Sequence, residues 1–196
     1  MKDALTKRGP FVIAGGSGFI GVSLAMHLAA AGWRVVILSR HAPAIAGPWG
    51  HVPWDARTLG DWRGSLNGAA GVVNLVGRSV DCIKTPDHRD EILRSRVEST
   101  LVLGEAMRRV EYPPPVWVQM STAHIYGDPP EVICTEDSPT ASAWRRPLDV
   151  PGSRPIAKAF CRLSGRWCCG RVLLLAVTAE RVVGRSRGCG DWFGWV

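Results

Sequence analysis

Gly15-Gly16-Ser17-Gly18-Phe19-Ile20-Gly21 is the stretch around which the chain is organised. An apolar run, Pro10-Phe11-Val12-Ile13-Ala14, precedes it, and an amphipathic one, Val22 to Ala31, follows. Strand, glycine turn and helix in that order aim the unpaired N–H groups of a helix N-terminus at a phosphate. Gly15, Gly18 and Gly21 are spaced G-x-x-G-x-x-G, one residue off the commoner dinucleotide fingerprint. Gly15 turns the chain off the strand, Gly18 lets a pyrophosphate approach the backbone, and Gly21 lets the first helix pack close on the sheet. A tight βα turn with no ligand would carry the same glycines, so the flanking sequence has to decide.

Working outward, Gly32 ends the helix, whose apolar side draws on Val22, Leu24, Ala25, Leu28 and Ala29. Arg34 to Leu38 is a second strand, β-branched at Val35, Val36 and Ile37. The unit predicts a parallel pair with a right-handed crossover. Ser39-Arg40 closes that strand, where an acid would pair with the free 2′-hydroxyl of NAD and Arg would accommodate the 2′-phosphate of NADP. No acid stands there, which favours NADP over NAD; a solvated arginine is the plain alternative.

Residues 41–50 read as a loop, His51 to Asp55 as a short third strand, and Arg57 to Leu66 as a short helix. Gly71 to Gly77 is a buried strand ending in Asn74 and Gly77, where a small backbone lets a dinucleotide pass. Asp87 to Val110 is the longest helix, with Ile92, Val97, Leu101 and Val102 on its apolar side and Pro86 ahead of it. Its charged residues, Arg89, Asp90, Glu91, Arg94, Arg96 and Glu98, read as a solvated face. Pro113-Pro114-Pro115 stops it, and Val116 to Met120 is a fifth strand ending at Ser121-Thr122. His124 has no second His or Cys at ligand spacing, so no metal is assigned. Alternating strands and helices predict an α/β, Rossmann-type doubly wound parallel sheet with a ligand at the carboxyl ends of its strands.

The 196 residues suit one domain with a real core. No apolar run is long enough to cross a membrane, and the polar start Met1 to Arg8 is unlike a secretory signal, so a cytoplasmic location is expected. The net charge of +7 is unevenly distributed. Residues 1–139 carry 14 Lys+Arg and 14 Asp+Glu, so the excess falls entirely in 140–196. Four of the six cysteines (Cys161, Cys168, Cys169, Cys189) and four of the nine tryptophans lie there too. That division argues against nucleic acid as the partner of the first part; only the basic, Trp-containing tail offers an RNA reading.

The early chain resembles the extended short-chain dehydrogenase/reductases, in particular their NAD(P)-dependent epimerase-like branch. The resemblance rests on Gly15 to Gly21, on Val73-Asn74-Leu75-Val76-Gly77, and on Met120-Ser121-Thr122-Ala123-His124-Ile125-Tyr126-Gly127. Trp54-Asp55 and Ile92-Leu93-Arg94-Ser95-Arg96 fit an epimerase-like subgroup. The resemblance implies a dinucleotide site built from Gly15, Ser17, Gly18, Phe19, Ile20, Gly21, Ser39, Arg40, Asn74, Leu75, Val76, Glu91 and Arg96. It implies a small-molecule substrate such as a sugar-nucleotide, and it puts Thr122, beside Ser121, where that group's active-site Ser/Thr sits. One departure stands out. The wider family moves its proton through a Tyr followed four residues later by Lys, whereas the only tyrosines here are Tyr112 and Tyr126. The epimerase-like subgroup that the chain resembles also tends to lack that pair, so the departure removes a proton-transfer residue without excluding membership. The second reading is an NADP(H)-binding module without catalysis, either a sensor or a truncated remnant.

The resemblance covers about residues 10–139, and the expected division is a Rossmann domain over 1–139 and a divergent basic, Cys/Trp-rich tail over 140–196. A reading-frame change near codon 140 would account for the shift, since GC-rich codons for Thr140 to Arg146 can be read one frame over as Asp-Gly-Phe-Gly-Leu-Ala-Pro. In the alternative of a genuine tail, Arg171 to Val177 is a sixth strand and Val182 to Arg185 a loop beyond it.

Overall fold

A computed structural model describes residues 9–79, 82, 83, 85–121, 171–177 and 182–187. Strands β1 (Phe11–Ala14), β2 (Val35–Ser39), β3 (Gly50–Pro53), β4 (Gly71–Asn74), β5 (Val116–Ser121), β6 (Arg171–Val177) and β7 (Val182–Arg187) form one sheet in the order β3-β2-β1-β4-β5-β6-β7. Pairing is parallel from β3 through β6, with Ala14 level with both Leu38 and Asn74. Strand order reverses between β1 and β4, and the crevice at such a switch point is where α/β sheets take ligands. The last pair, β6 with β7, is antiparallel. Val182 to Arg185 therefore lies in a strand rather than the expected loop. Only residues 178–181 separate the two strands, too few for a crossover, so the chain can only return antiparallel.

Helix α1 (Phe19–Ala30) and helix α2 (Pro86–Arg109) pack on opposite faces of the sheet. The period-two alternation of the strands divides the core accordingly. Val12, Leu38, Val72 and Trp117 join Val102, Leu103, Ala106 and Met107 of α2, together with Trp54 and Trp62, whose rings lie 4.8 Å apart. Ile13, Val35 and Ile37 turn to the other side and meet Ala25, Leu24 and Leu28 of α1. The short helix expected over Arg57 to Leu66 is a 3-10 helix confined to Asp61–Leu66. Ahead of it the Asp55 carboxylate accepts the N–H groups of Arg57 and Thr58, both at 2.9 Å, and this turn uses up the residues that would have opened a longer helix.

The helix ends follow their capping chemistry. Gly32, at φ +84°, is the left-handed residue after α1. The N–H groups of Gly32 and Trp33 reach back to Ala29 and Leu28 carbonyls at 2.9 and 3.0 Å, satisfying acceptors the helix leaves open. Thr85 caps α2, accepting the His88 N–H at 3.2 Å, with Pro86 as its first residue. Leu101, expected on the apolar side of α2, is exposed; the buried stripe runs through Ile92, Ser99, Thr100, Leu103 and Met107.

Candidate functional site

The carboxyl ends of β1, β2 and β4 are tied together by backbone hydrogen bonds. The Gly15 N–H donates to the Leu38 carbonyl and the Leu75 N–H to the Ala14 carbonyl, both at 2.8 Å. Gly15 has φ +74°, and a Cβ there would lie 2.8 Å from the Val76 nitrogen, so both conformation and space exclude a side chain. The loop after β1 is thus clamped between the exits of β2 and β4.

Gly21 is buried against the same loop: a Cβ on it would stand 2.4 Å from Gly16 Cα. The close packing expected of Gly21 is therefore against the glycine turn itself. Gly18 differs, because a Cβ there would meet nothing within 4 Å. Ser17, Gly18, Phe19 and Ile20 are all exposed, Phe19 at 88%. The first intrahelical bond runs from Val22 N–H to the Gly18 carbonyl at 2.9 Å, which leaves the N–H groups of Phe19, Ile20 and Gly21 without a partner inside the helix. No side chain caps this end and no acid stands in its first turn. The positive pole of α1 is open and uncompensated, which suits an anion.

At the exit of β2, Ser39 is buried and its hydroxyl donates to the His41 carbonyl at 2.8 Å. The Ser39 carbonyl accepts the Trp54 N–H at 3.1 Å and lies 3.1 Å from His51 Nε2. These bonds fix the turn that displays Arg40, which is exposed and has no ion-pair partner among the described residues.

The exit of β4 is organised differently. Asn74 is 0% exposed, and its side chain is engaged with Thr100 of α2 and Gln119 of β5 beneath the strand exit. Leu75 and Val76 are half-buried beside Gly15. Glu91 and Arg96 meet not at the glycine turn but around Arg78, two residues past Val76. Arg78 pairs with the Glu91 carboxylate, its N–H donates to the Ser95 hydroxyl at 3.0 Å, and its carbonyl accepts from Arg96 at 3.1 Å. Arg96 also donates to the Ile92 carbonyl at 2.9 Å and crowds Gly77, where a Cβ would lie 2.9 Å from its Cζ. Burial lowers the Arg96 pKa, although a guanidinium stays charged throughout the ordinary pH range. Arg96 is thus not part of a solvated face; Arg94 is, with Asp90 and Glu98 as partners that raise its pKa.

The structure brings the glycine turn, Ser39-Arg40 and Leu75-Val76 into one crevice. Ser121 closes β5, level with Ala176 of β6, while Thr122, His124 and Tyr126 lie outside the described residues. Sequence reasoning missed Arg78, Ser95, Thr100 and Gln119. Gln119 was the detectable one: it shares the inward face of β5 with Trp117, and a polar residue at an inward strand position signals a buried partner.

The model of the NAD dependent epimerase/dehydratase family matches residues 11–148. The human epimerase family protein SDR39U1 is 31% identical over 156 residues, which covers 72% of this chain and 49% of the relative. The crystal structure of human SDR39U1 (isoform 2) with NADPH superposes with a TM-score of 0.56 at 30% identity, over 67% of this chain and 42% of that one. MoeE5 in complex with UDP-glucuronic acid and NAD has the same fold, at TM-score 0.66 and 24% identity over 85% and 52% of the two chains. The chain spans about half the length of the first curated relatives it matches.

Proposed function

Because the chain belongs to the NAD dependent epimerase/dehydratase family, we propose that it binds NADP(H) in the crevice between β1 and β4. In this reading it acts as an epimerase/dehydratase-like oxidoreductase on a sugar-nucleotide or related small molecule. One observation carries the proposal: the open, acid-free N-terminus of α1, with no described atom within 4 Å of a Cβ on Gly18 and clamped strand exits on either side. Such a cradle fits a pyrophosphate, which needs backbone N–H groups and no competing carboxylate. Arg40, exposed at the β2 exit with no acid beside it, suits the 2′-phosphate of NADP rather than the 2′-hydroxyl of NAD. The NADPH in human SDR39U1 and the NAD with UDP-sugars in MoeE5 support the cofactor class and substrate class respectively.

A bound dinucleotide supplies a hydride donor or acceptor. The chain's contribution is to hold it: Phe19, Ile20 and Gly21 N–H groups toward phosphate, Arg40 toward the 2′-phosphate, Leu75 and Val76 as the floor. In the same proposal the Thr122 hydroxyl, next to Ser121, hydrogen-bonds a substrate oxygen and polarises it. A cytoplasmic location belongs to this reading; no helix among the described residues is long and apolar enough to cross a membrane.

The absence of any tyrosine after Tyr126 favours a second reading, dinucleotide binding without turnover. Fluorescence titration with NADPH and NADH, followed by a screen for hydride transfer with UDP-sugars, separates the two. Tight NADPH binding with transfer supports the enzyme, and binding without transfer supports the module. Failure to bind either dinucleotide refutes both.

A further inference from the structure

Beneath the crevice runs a buried line of side-chain hydrogen bonds that joins β5, β4 and α2. The indole N–H of Trp117 donates to Gln119 Oε1 at 3.2 Å. Asn74 Nδ2 donates to the same oxygen at 3.1 Å and to Thr100 Oγ1 at 3.4 Å. Asn74 Oδ1 accepts the Val76 N–H at 3.1 Å, and the Thr100 hydroxyl donates to the Arg96 carbonyl at 2.8 Å. Trp117, Gln119, Asn74 and Thr100 are all buried to within 2% of completely.

The polarity of this line is forced. An indole nitrogen can only donate, so the Gln119 atom facing it must be the carbonyl oxygen. That oxygen obliges Asn74 to present its NH2, which turns Asn74 Oδ1 toward Val76. The Val76 N–H, also only a donor, demands the same orientation from the opposite end. Both ends of the chain of bonds therefore fix one arrangement of two amides that could otherwise flip by 180°.

We propose that Gln119 is a positioning residue for the dinucleotide floor: locked by Trp117, it holds Asn74, and Asn74 holds the Val76 N–H against Gly15. The proposal deepens the cofactor reading and rests on it for its ligand arm only. Gln119 touches no ligand, and its effect passes through Asn74 to the β4 exit, some of whose atoms would obstruct a side chain on Gly15.

Amide hydrogen exchange and dinucleotide titration on the full chain test it. Gln119→Met keeps the side-chain length but removes the oxygen that Asn74 Nδ2 and the Trp117 indole share as acceptor. Val76 exchange should accelerate about five- to tenfold more than that of Ile37 in β2, and NADPH affinity should fall about tenfold. Gln119→Glu, whose carboxyl burial keeps protonated, can accept both N–H groups through one oxygen and donate through the other to the Met120 carbonyl as Gln119 Nε2 does, so it should restore Val76 protection and affinity to within about threefold. Equal acceleration at Val76 and Ile37, or none at either, overturns the proposal, as does a Gln119→Glu variant as impaired as Gln119→Met. Should Gln119→Met not fold, Trp117→Phe removes the locking donor together with part of the indole's buried volume, so Ile37 serves as the control for general loosening: Val76 acceleration beyond that of Ile37 supports the proposal, and equal or unchanged exchange overturns it. If the wild-type chain binds no dinucleotide, the cofactor reading fails, while the exchange measurement still decides the positioning role.

Discussion

Gly18→Ala separates what the glycine turn does for the fold from what it does for a ligand. A methyl group at Gly18 meets no heavy atom within 4 Å, and its φ of −83° and ψ of 176° are open to alanine. Restricting the unfolded chain stabilises such a replacement by about 0.4–1 kcal/mol. Gly18 is also the N-cap of α1, where alanine is the poorer residue by a few tenths to about 1 kcal/mol. The two effects nearly cancel, so the thermal midpoint should move by no more than about 2 °C. Affinity is a different matter. If a pyrophosphate lies over the unpaired N–H groups of α1, the methyl group occupies its approach, and about 1.4 kcal/mol of lost contact makes a tenfold rise in Kd. Gly21→Ala is the contrasting variant, because its Cβ would stand 2.4 Å from Gly16 Cα and 2.5 Å from the Gly16 oxygen. Backbone cannot yield as a flexible side chain does, so about 1–3 kcal/mol of overpacking should lower the midpoint by several degrees. Differential scanning fluorimetry reads the stability and NADPH fluorescence titration the affinity. A Gly18→Ala protein that binds NADPH as tightly as wild type refutes the placement of the phosphate.

Arg40→Asp should raise the Kd for NADPH at least about 30-fold, through a lost charge-assisted contact and a new repulsion, and change that for NADH by less than about threefold. Equal effects on the two dinucleotides contradict the 2′-phosphate assignment. Arg96→Met removes the donors to the Ile92 and Arg78 carbonyls, so it should destabilise the chain by about 1–3 kcal/mol and speed exchange across residues 77–79 in particular; an unchanged urea midpoint sinks it. Acid should also weaken the fold through two lowered carboxyl pKa values. Burial acts to raise Asp55, but hydrogen bonds from Thr58 and Arg57 outweigh it, and Arg108 and Arg109 lower Glu105. Since both folded values lie below the unfolded ones, their stabilisation is complete above about pH 5 and lost as pH falls through the folded pKa values. Urea midpoints should drop less steeply below pH 5 in an Asp55→Asn, Glu105→Gln double variant than in wild type, and parallel slopes refute this.

The strands were legible because each is a short β-branched or apolar run closed by glycine, proline or a polar pair: Val35–Ser39 before Arg40, Val116–Ser121 after three prolines. β7 was not, because Val182-Val183-Gly184-Arg185 lacks alternation and only the brevity of the link from β6 dictates its direction. Leu101 was placed on the buried side by its hydropathy, whereas Ser99 and Thr100 occupy that side because their hydroxyls find the Arg96 carbonyl, at 3.1 and 2.8 Å. Hydrogen bonds three and four residues back leave no mark on an apolar periodicity. Glu91 and Arg96 were placed near a cofactor by resemblance alone. Their engagement with Arg78 depends on where α2 crosses the β4 exit, a tertiary relation that spacing along one helix does not encode.

The two faces of the sheet divide the labour of the site. On the α2 side, Asn74, Thr100, Gln119 and Arg96 hold the β4 exit from within or beside the larger core cluster, so they set where the floor of the crevice lies. On the α1 side the core is smaller, Ile13, Ala25, Val35 and Ile37, and the atoms proposed to face the phosphate are backbone N–H groups, with no described atom within 4 Å of a Cβ on Gly18. A change on the α2 side must therefore disturb packing and affinity together, since a buried polar group left unpaired costs about 1–3 kcal/mol of stability before any ligand arrives. On the proposed site, a change at Gly18 or Arg40 should alter affinity with the fold intact, because neither residue takes part in the described core. Plotted against each other, stability and dinucleotide affinity should fall on a common line for the α2-side variants and off it for the α1-side ones. One line for both sets would mean that the crevice has no binding chemistry separate from the stability of the sheet.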